Sequence, residues 1–413
     1  MLRLAYFVEL TWLLVDMVSG YLQNSGIYLP GEQTVSGLIR LGVVGLLIAI
    51  LLLHHTRERL LTLSLMSLCL VWVIAHGIAD ALVGKENIAT DIQLYLKLML
   101  PLLLFRVMQL QLEKGVINIV RIRNIIVLNA TILMLNLSLG LLGIGFGNYG
   151  VSETGELLGS KGFFYAGNEV SATLIAIFAL MTFIFRERLH RNMLEMLAAF
   201  FLFFIASLMS LSKTSLIGFL MVLAFAVNSY LSRAAKVKFC AVAAVATVVA
   251  APWWLPLMRV SIERWQFFWD LKPDFFDFIT SGRTERIESY ISWLTGGGGG
   301  MHILFGQGLN RISQIGSFEN DLLDLTMGSG ILGLLFYCVW AEWAWSGLTN
   351  RVTKGLPNGM FTFYFVGTFL VLSVIAGHVI YSAMLAPFIA LIAVVSSRNF
   401  SNATSPTIGT IPR

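Results

Sequence analysis

The chain has 413 residues, of which 57% are hydrophobic and only 12% are charged, and its mean hydropathy is +0.79. Soluble domains carry about a quarter charged residues, and the smaller share here cannot cover the surface of a water-soluble protein of this length. This composition excludes ordinary soluble enzymes, nucleic-acid-binding domains, coiled coils and disordered proteins. It predicts an all-α polytopic integral membrane protein. The net charge of +5 is not taken as affinity for nucleic acid, because the charges lie mainly between apolar segments.

The cysteines and the first apolar segment exclude two further features. Cys69, Cys240 and Cys338 all fall in apolar stretches, so neither a disulfide framework nor a metal-ligand spacing is present. The first apolar segment carries Glu9 and Asp16 and lacks a small-residue cleavage site, so we expect no cleaved signal peptide.

The apolar segments predict about twelve transmembrane helices. A transmembrane helix needs roughly 20 mainly apolar residues. The predicted spans run near residues 4–23, 37–54, 60–83, 92–111, 124–146, 168–185, 193–211, 214–231, 236–256, 321–347, 358–377 and 379–396.

Basic residues of the short loops predict the orientation. When the twelve spans are threaded with the N-terminus in the cytoplasm, Arg57, Arg121, Arg186, Arg233 and Arg351 all fall on the cytoplasmic side. Lysine and arginine are enriched on that side of membrane proteins. We therefore expect both termini to be cytoplasmic.

This topology divides the chain into four regions. Spans 1–9 occupy residues 1–256, a long external segment occupies 257–320, spans 10–12 occupy 321–396, and a cytoplasmic tail occupies 397–413. Residues 259–270 of the external segment predict an amphipathic helix at the bilayer surface. The five glycines at 296–300 indicate either a hinge or a simple spacer.

The external segment contains a candidate anion site at residues 280–294. Ser281 is suited to cap a helix, and Arg283, Arg286 and Tyr290 then lie on one helical face. Two arginines in the first turn, together with the partial positive charge of the helix N-terminus, favour phosphate as a ligand. The alternative interpretation is a pair of interfacial arginines that contact lipid headgroups.

A candidate general base precedes the tenth predicted span. Glu319 would share a helical face with Gly330 and Gly333, whose small size lets another helix approach closely. A partly buried carboxylate at this position is suited to accept a proton. Asp321 and Asp324 fall on other faces, so we expect them to cap the helix or to pair with basic residues. The alternative is that all three acids only solvate the start of a helix.

Three further basic residues are candidates for anion binding. Lys213 lies in a polar break at residues 211–216, where it either binds phosphate or extends to the bilayer interface. Lys161 belongs to a loop at 159–169 that either lines a polar cavity or caps a helix. Arg40 lies near the outer end of its span, where it would either hold an anion or pair with an acidic residue such as Asp80.

Four segments resemble the O-antigen ligase and polymerase superfamily, the bacterial membrane glycosyltransferases of polysaccharide assembly. They occur in the expected order and cover about residues 160–340. The segments are Gly162-Phe-Phe with Gly167-Asn-Glu169, Ser210-Leu-Ser-Lys-Thr214, Ser281-Gly-Arg283 with Trp293 and Phe305-Gly-Gln-Gly308, and Glu319-Asn320 with Gly330 and Gly333.

The resemblance implies a fold, a reaction and a location. The fold would be of the membrane-embedded GT-C glycosyltransferase kind with a long periplasmic loop, in the bacterial inner membrane. The donor would be an undecaprenyl-pyrophosphate-linked oligosaccharide, and the enzyme would need no metal or other cofactor. Glu319 and Arg283 would be catalytic. Donor contacts would come from the remaining candidates, namely Arg286, Lys213, Arg40, Lys161, Asn320 and Tyr290.

One departure from the family pattern favours a polymerase. Ligases of this superfamily have a histidine where Glu319 stands, so we expect a polymerase that joins lipid-linked repeat units. Its partners would be the lipid-linked glycan, membrane lipid and a chain-length regulator protein. The alternatives are a ligase that transfers glycan to the lipid A core and, from another class, a transporter or flippase of lipid-linked oligosaccharides.

Overall fold

The computed structural model describes residues 1–27, 34–54, 56–82, 88–148, 159–271, 273–275, 288, 290–292, 300–308, 320–345, 357–375, 377 and 379–395. Most of these described residues are helical. The helices are α1 (Leu2–Leu10), α2 (Trp12–Asn24), α3 (Val35–His54), α4 (Thr56–Leu82), α5 (Ile88–Glu113), α6 (Ile119–Leu141), α7 (Gly167–Ile184), α8 (Arg186–Arg191), α9 (Met193–Met209), α10 (Lys213–Tyr230), α11 (Arg233–Val249), α12 (Ala251–Leu271), α13 (Gly300–Phe305), α14 (Asp321–Trp345), α15 (Pro357–Ile375) and α16 (Ala386–Val395). Strands β1 (Phe146–Gly147) and β2 (Ser160–Gly162) pair antiparallel.

Helices of membrane-spanning length and composition confirm the all-α, membrane-embedded class. Within the described residues, five helices are long and apolar enough to cross a membrane, and each matches a predicted span. They are Val35–His54, Tyr95–Glu113, Ile119–Leu141, Gly167–Ile184 and Lys213–Tyr230. The count of twelve spans and the GT-C architecture stay predictions.

Within the described residues, four predicted spans are interrupted: the first, the ninth, the tenth and the last. The tenth is broken at Gly330 of α14. The first is divided at Thr11, whose hydroxyl donates to the Phe7 carbonyl oxygen at 3.0 Å, a local bond that competes with regular helix. The ninth is divided between α11 and α12, which continues to Leu271 and so includes the predicted amphipathic stretch. In the last, regular helix begins only at Ala386.

Two asparagines on α6 bind the backbone groups that these irregularities leave without helical partners. Asn129 accepts a hydrogen bond from Leu13 N at 3.0 Å and donates to the carbonyl oxygens of Glu9 and Leu10, next to the break at Thr11. Seven residues later, Asn136 accepts from Phe163 N and donates to the Lys161 carbonyl oxygen in the hairpin. Both asparagines are fully buried, so these bonds replace the water that lipid cannot supply.

Phenylalanine side chains form the core between α7, α9, α10 and α15. Phe178 stacks on Phe203 and Phe219 with ring centroids 4.6 and 5.2 Å apart, and Phe183 stacks on Phe361 at 4.3 Å. Such stacked pairs contribute about 0.5–1.5 kcal/mol each beyond the burial of their area. On the other side of α7, α16 packs against α5.

The buried pair Glu9 and Gln111 gives a first prediction. The Glu9 carboxyl faces the Gln111 side chain between α1 and α5, and both residues are fully buried. Within the described residues, neither the two Glu9 oxygens nor Gln111 Oε1 has a partner at hydrogen-bonding geometry, whereas Gln111 Nε2 donates to the Leu2 carbonyl oxygen. A buried carboxyl without a hydrogen-bond donor is costly, and a neutral side chain of the same size avoids much of that cost. Glu9→Gln introduces such a side chain.

We therefore expect Glu9→Gln to change the free energy of unfolding by less than about 1 kcal/mol. Glu9→Ala should lower it by about 2–4 kcal/mol, because a cavity and an unpaired acceptor remain. Thermal unfolding of the two purified variants in detergent measures the difference. Equal destabilisation by both substitutions would contradict this account.

Candidate functional site

The loop after α13 docks into a break in α14. Gly330, within α14, has φ 68° and ψ −174°, which interrupts the helical hydrogen bonds. The carbonyl oxygens of Met327 and Gly328 instead accept from Gln307 N at 2.8 Å and Gly308 N at 2.9 Å. A side chain at Gly330 would place its Cβ 2.2 Å from the Leu304 carbonyl oxygen. Two segments that carry the family resemblance, 305–308 and 319–333, are thus in direct backbone contact.

Side chains from α4 and α5 hold this junction in place. Trp72 Nε1 and His76 Nε2 donate to the Phe305 carbonyl oxygen at 3.2 and 3.0 Å. Tyr95 and Ser329 share a hydrogen bond of 3.1 Å between their hydroxyl oxygens. His76 therefore donates a hydrogen bond to a backbone carbonyl oxygen in the described structure. Side chains of two neighbouring helices, α4 and α5, hold the junction.

Asp321, at the start of α14, binds a segment that its position on the helix did not indicate. Asn320 Oδ1 accepts from Leu323 N at 3.2 Å and so caps the helix. Asp321 is fully buried, and its Oδ2 accepts from Ser373 Oγ at 2.9 Å and from the backbone N–H groups of Val379 and Ile380 at 2.8 Å each. Asp321 therefore binds the backbone of another segment, a role that the sequence analysis did not predict.

That segment, residues 379–385, is a buried non-helical turn between α15 and α16, hereafter the 379–385 turn. Ser382 Oγ donates to Glu169 Oε2 at 2.7 Å, and Trp12 Nε1 donates to the Ala383 carbonyl oxygen at 3.0 Å. Irregular backbone at membrane depth occurs where protein surrounds it or where it lines a cavity. Here α2, α7 and α14 provide its polar contacts.

A cluster of four ionisable residues lies beside the turn. Arg40 Nη2 donates to both carboxylate oxygens of Asp16, at 2.5 and 2.6 Å, and both side chains are largely buried. Glu169 and Lys97 interact electrostatically with Asp16. The two acids and two bases balance in charge. Arg40 is thus paired with Asp16, and binding of a phosphate by Arg40 would require competition with that carboxylate.

The hairpin joins two other segments of the resemblance. Asn148 Nδ2 donates to the Ser210 carbonyl oxygen at 2.6 Å, and its backbone N–H donates to the Gly159 carbonyl oxygen at 3.1 Å. Ser210 and Ser215 share a hydrogen bond of 2.6 Å, which closes the turn around Leu211, a residue with φ 51°. This arrangement places the half-buried Lys213 at the first position of α10.

Lys161 is held by its own loop. Its Nζ donates to the Tyr165 carbonyl oxygen at 2.8 Å and lies 5.8 and 5.9 Å from the ring centroids of Phe146 and Tyr165. Burial lowers the pKa of the Lys161 ammonium below its ordinary value. Lys161 lies in β2, which pairs with β1.

The described residues of the external segment place Tyr290 in the interior. Tyr290 packs with Tyr95, Leu325, Met327 and Ile380, whereas its neighbours at 288, 291 and 292 are exposed. This agrees with a helical face that points toward the protein. Burial raises the pKa of the Tyr290 hydroxyl. Glu319, Arg283 and Arg286 lie outside the described residues.

The structure therefore connects some candidates and leaves others apart. Asn320 precedes Asp321, which binds the 379–385 turn, and Arg40 of α3 pairs with Asp16 of α2, whose Trp12 binds the same turn. Tyr290 belongs to the same hydrophobic cluster as Ile380 of that turn. Lys161 and Lys213 are joined through the hairpin. Sequence analysis missed Asp321 and Ser382 as site residues. An ionisable residue inside an apolar span was the available signal for Asp321.

Comparisons with known proteins do not identify a relative: no protein-family model, no curated protein and no solved structure matches this chain. Within the part of the chain that the structure describes, no group of three or more His, Cys, Asp or Glu side chains is arranged to hold a metal ion.

Proposed function

We propose that this protein is a polysaccharide polymerase of the bacterial inner membrane. It joins undecaprenyl-pyrophosphate-linked oligosaccharide repeat units at the periplasmic face by inverting glycosyl transfer. The observation that supports this proposal most is the docking of residues 306–308 on α14 at Gly330. Gly306 and Gly330, which belong to two separate resemblance segments, are both required by one shared backbone contact.

The reaction assigns separate roles to the acidic and basic candidates. Glu319 accepts the proton of an acceptor sugar hydroxyl or orients that hydroxyl, whose oxygen attacks the anomeric carbon of the donor. The bond from that carbon to the pyrophosphate oxygen breaks, and undecaprenyl pyrophosphate leaves. Arg283, Arg286 and Lys213 stabilise the developing negative charge on the leaving group. Lys213, at the N-terminus of α10, adds the helix dipole to its own charge.

The test uses purified protein in detergent with undecaprenyl-pyrophosphate-linked repeat units and EDTA. A gel of the glycan products should show a ladder of increasing lengths. A single transfer that requires lipid A core would make the protein a ligase. The absence of any new glycosidic bond, with either acceptor, would contradict both.

Arg283→Ala gives a second prediction. We expect donor turnover to fall about 100-fold, since loss of one group that stabilises transition-state charge typically reduces kcat 10²–10³-fold. Arg259→Ala is the matched control, because Arg259 is 82% exposed and pairs with Glu263 on the surface of α12. Rates of undecaprenyl pyrophosphate release measure both variants. Near-normal turnover in Arg283→Ala would exclude this residue as the principal contact of the pyrophosphate.

Two interrupted helices favour a second candidate function, a transporter of lipid-linked oligosaccharides. α14 is broken at Gly330, and the 379–385 turn separates α15 from α16. Discontinuous helices are typical of substrate sites in secondary transporters. Proteoliposomes distinguish the two functions: a transporter moves the lipid-linked glycan across the bilayer and leaves its length unchanged.

A further inference from the structure

The 379–385 turn is bound at two points by carboxylates from different helices. At its first residues, Asp321 of α14 accepts the N–H groups of Val379 and Ile380 at 2.8 Å each. Three residues along, Ser382 donates to Glu169 of α7 at 2.7 Å. The turn also binds α2, because Trp12 Nε1 donates to the Ala383 carbonyl oxygen at 3.0 Å. It thus connects the start of α14 with the helix whose Asp16 pairs with Arg40.

We propose that Asp321 is a positioning residue for the glycosyl transfer assigned above. Its carboxylate, acting through the 379–385 turn, fixes the start of α14 relative to Glu169 of α7 and to α2, which carries Asp16. This inference rests on the proposed function. It assigns Asp321 no contact with substrate and no part in proton transfer.

The strength of this connection follows from burial and from the number of donors. Asp321 is fully buried, and one of its oxygens binds three described donors, two of them backbone N–H groups. Hydrogen bonds to an ionised acceptor are about twice as strong as neutral ones. Without the carboxylate these donors would remain unsatisfied in a dry interior, and the turn would rearrange. Asn320 is adjacent in the chain and caps the same helix, so it would move with the start of α14.

Kinetic measurements separate a positioning role from substrate binding. A displacement of about 1 Å at a catalytic site costs on the order of 100-fold in rate. We therefore expect Asp321→Ala to lower kcat about 100-fold and to change the donor KM less than threefold. Asp321→Asn keeps one acceptor oxygen and should recover at least a tenth of the wild-type kcat. Ser373→Ala is the matched control: it removes one of the three donors, keeps the carboxylate and should stay within threefold of wild type.

Amide hydrogen exchange of the full-length protein in detergent provides a readout that does not depend on activity. Val379 and Ile380 should exchange faster in Asp321→Ala and at near wild-type rates in Asp321→Asn. Unchanged exchange in Asp321→Ala, or faster exchange with an unchanged kcat, would overturn the proposal. If the wild-type protein forms no glycan product, the polymerase function fails, and the exchange rates still decide whether Asp321 holds the turn.

A second variant covers the case in which Asp321→Ala does not fold. Ser382→Ala removes the hydrogen bond between the turn and Glu169 and leaves Asp321 in place. The proposal expects kcat to fall about tenfold with KM unchanged, and a wild-type kcat would overturn it.

Discussion

Glu319→Gln is expected to abolish the formation of glycan polymer without preventing membrane insertion or folding. The substitution keeps the size of the side chain and removes its ability to accept a proton. General base catalysis typically contributes 10²–10⁴-fold to a rate, so kcat should fall by at least about 100-fold. The measurement is the initial rate of polymer formation from lipid-linked repeat units, together with thermal unfolding of the same preparation.

Glu263→Gln is the control for Glu319→Gln. Glu263 belongs to the same external segment, is 59% exposed and pairs with Arg259 one turn away on α12. Exposed pairs of this kind contribute only about 0.3–0.5 kcal/mol, so the control should keep full activity and stability. A fully active Glu319→Gln variant would exclude proton transfer by this residue.

Gly330→Ala should produce the largest loss of stability among single methyl additions in α14. At φ 68° and ψ −174°, Gly330 occupies a backbone region that is essentially restricted to glycine, and its added Cβ would lie 2.2 Å from the Leu304 carbonyl oxygen and 2.6 Å from Gly306 N. Backbone strain and overpacking each cost about 1–3 kcal/mol, so we expect a total of about 2–6 kcal/mol. The melting temperature in detergent and the yield of folded protein measure the effect.

Gly45→Ala provides the opposite expectation in the same protein. Gly45 lies within α3, and an added Cβ there has no heavy atom within 4 Å. Alanine stabilises a helix by about 0.8–1 kcal/mol relative to glycine, so this variant should melt at the same or a higher temperature. Equal destabilisation by the two substitutions would indicate that Gly330 is not required for docking of the 306–308 loop.

The sequence allowed the class and several contacts to be predicted, and failed where apolar stretches hide irregular backbone. The long apolar segments predicted membrane helices, and the glycines at 330 and 333 predicted the close approach of another helix to this one. Residues 379–385 are almost entirely apolar, so they were assigned to a regular span. Without that turn there was no partner for Asp321, and a helical projection could only place this residue on a face away from Glu319.

The charged candidates show the same limit. Arg40 was expected near a membrane surface, where it would either bind an anion or pair with Asp80. Its observed partner is Asp16. Asp16 lies in the predicted span before that of Arg40, and Asp80 lies in the span after it. Sequence position therefore gives no preference between the two acids. Pairing across helices depends on their rotation about their own axes, and periodicity alone does not determine that rotation.

The two asparagines of α6 set the positions of two neighbouring segments along the axis of this helix. Asn129 and Asn136 are seven residues apart, about 10.5 Å along the axis and nearly on one face. One holds the interruption between α1 and α2, and the other holds the hairpin. The distance between these two segments along the α6 axis is therefore set by the number of residues between Asn129 and Asn136. Insertion of a single residue between them would rotate one asparagine by about 100° around the α6 axis relative to the other. The hairpin would then lose its position against Gly20, which lies next to the Phe163 carbonyl group.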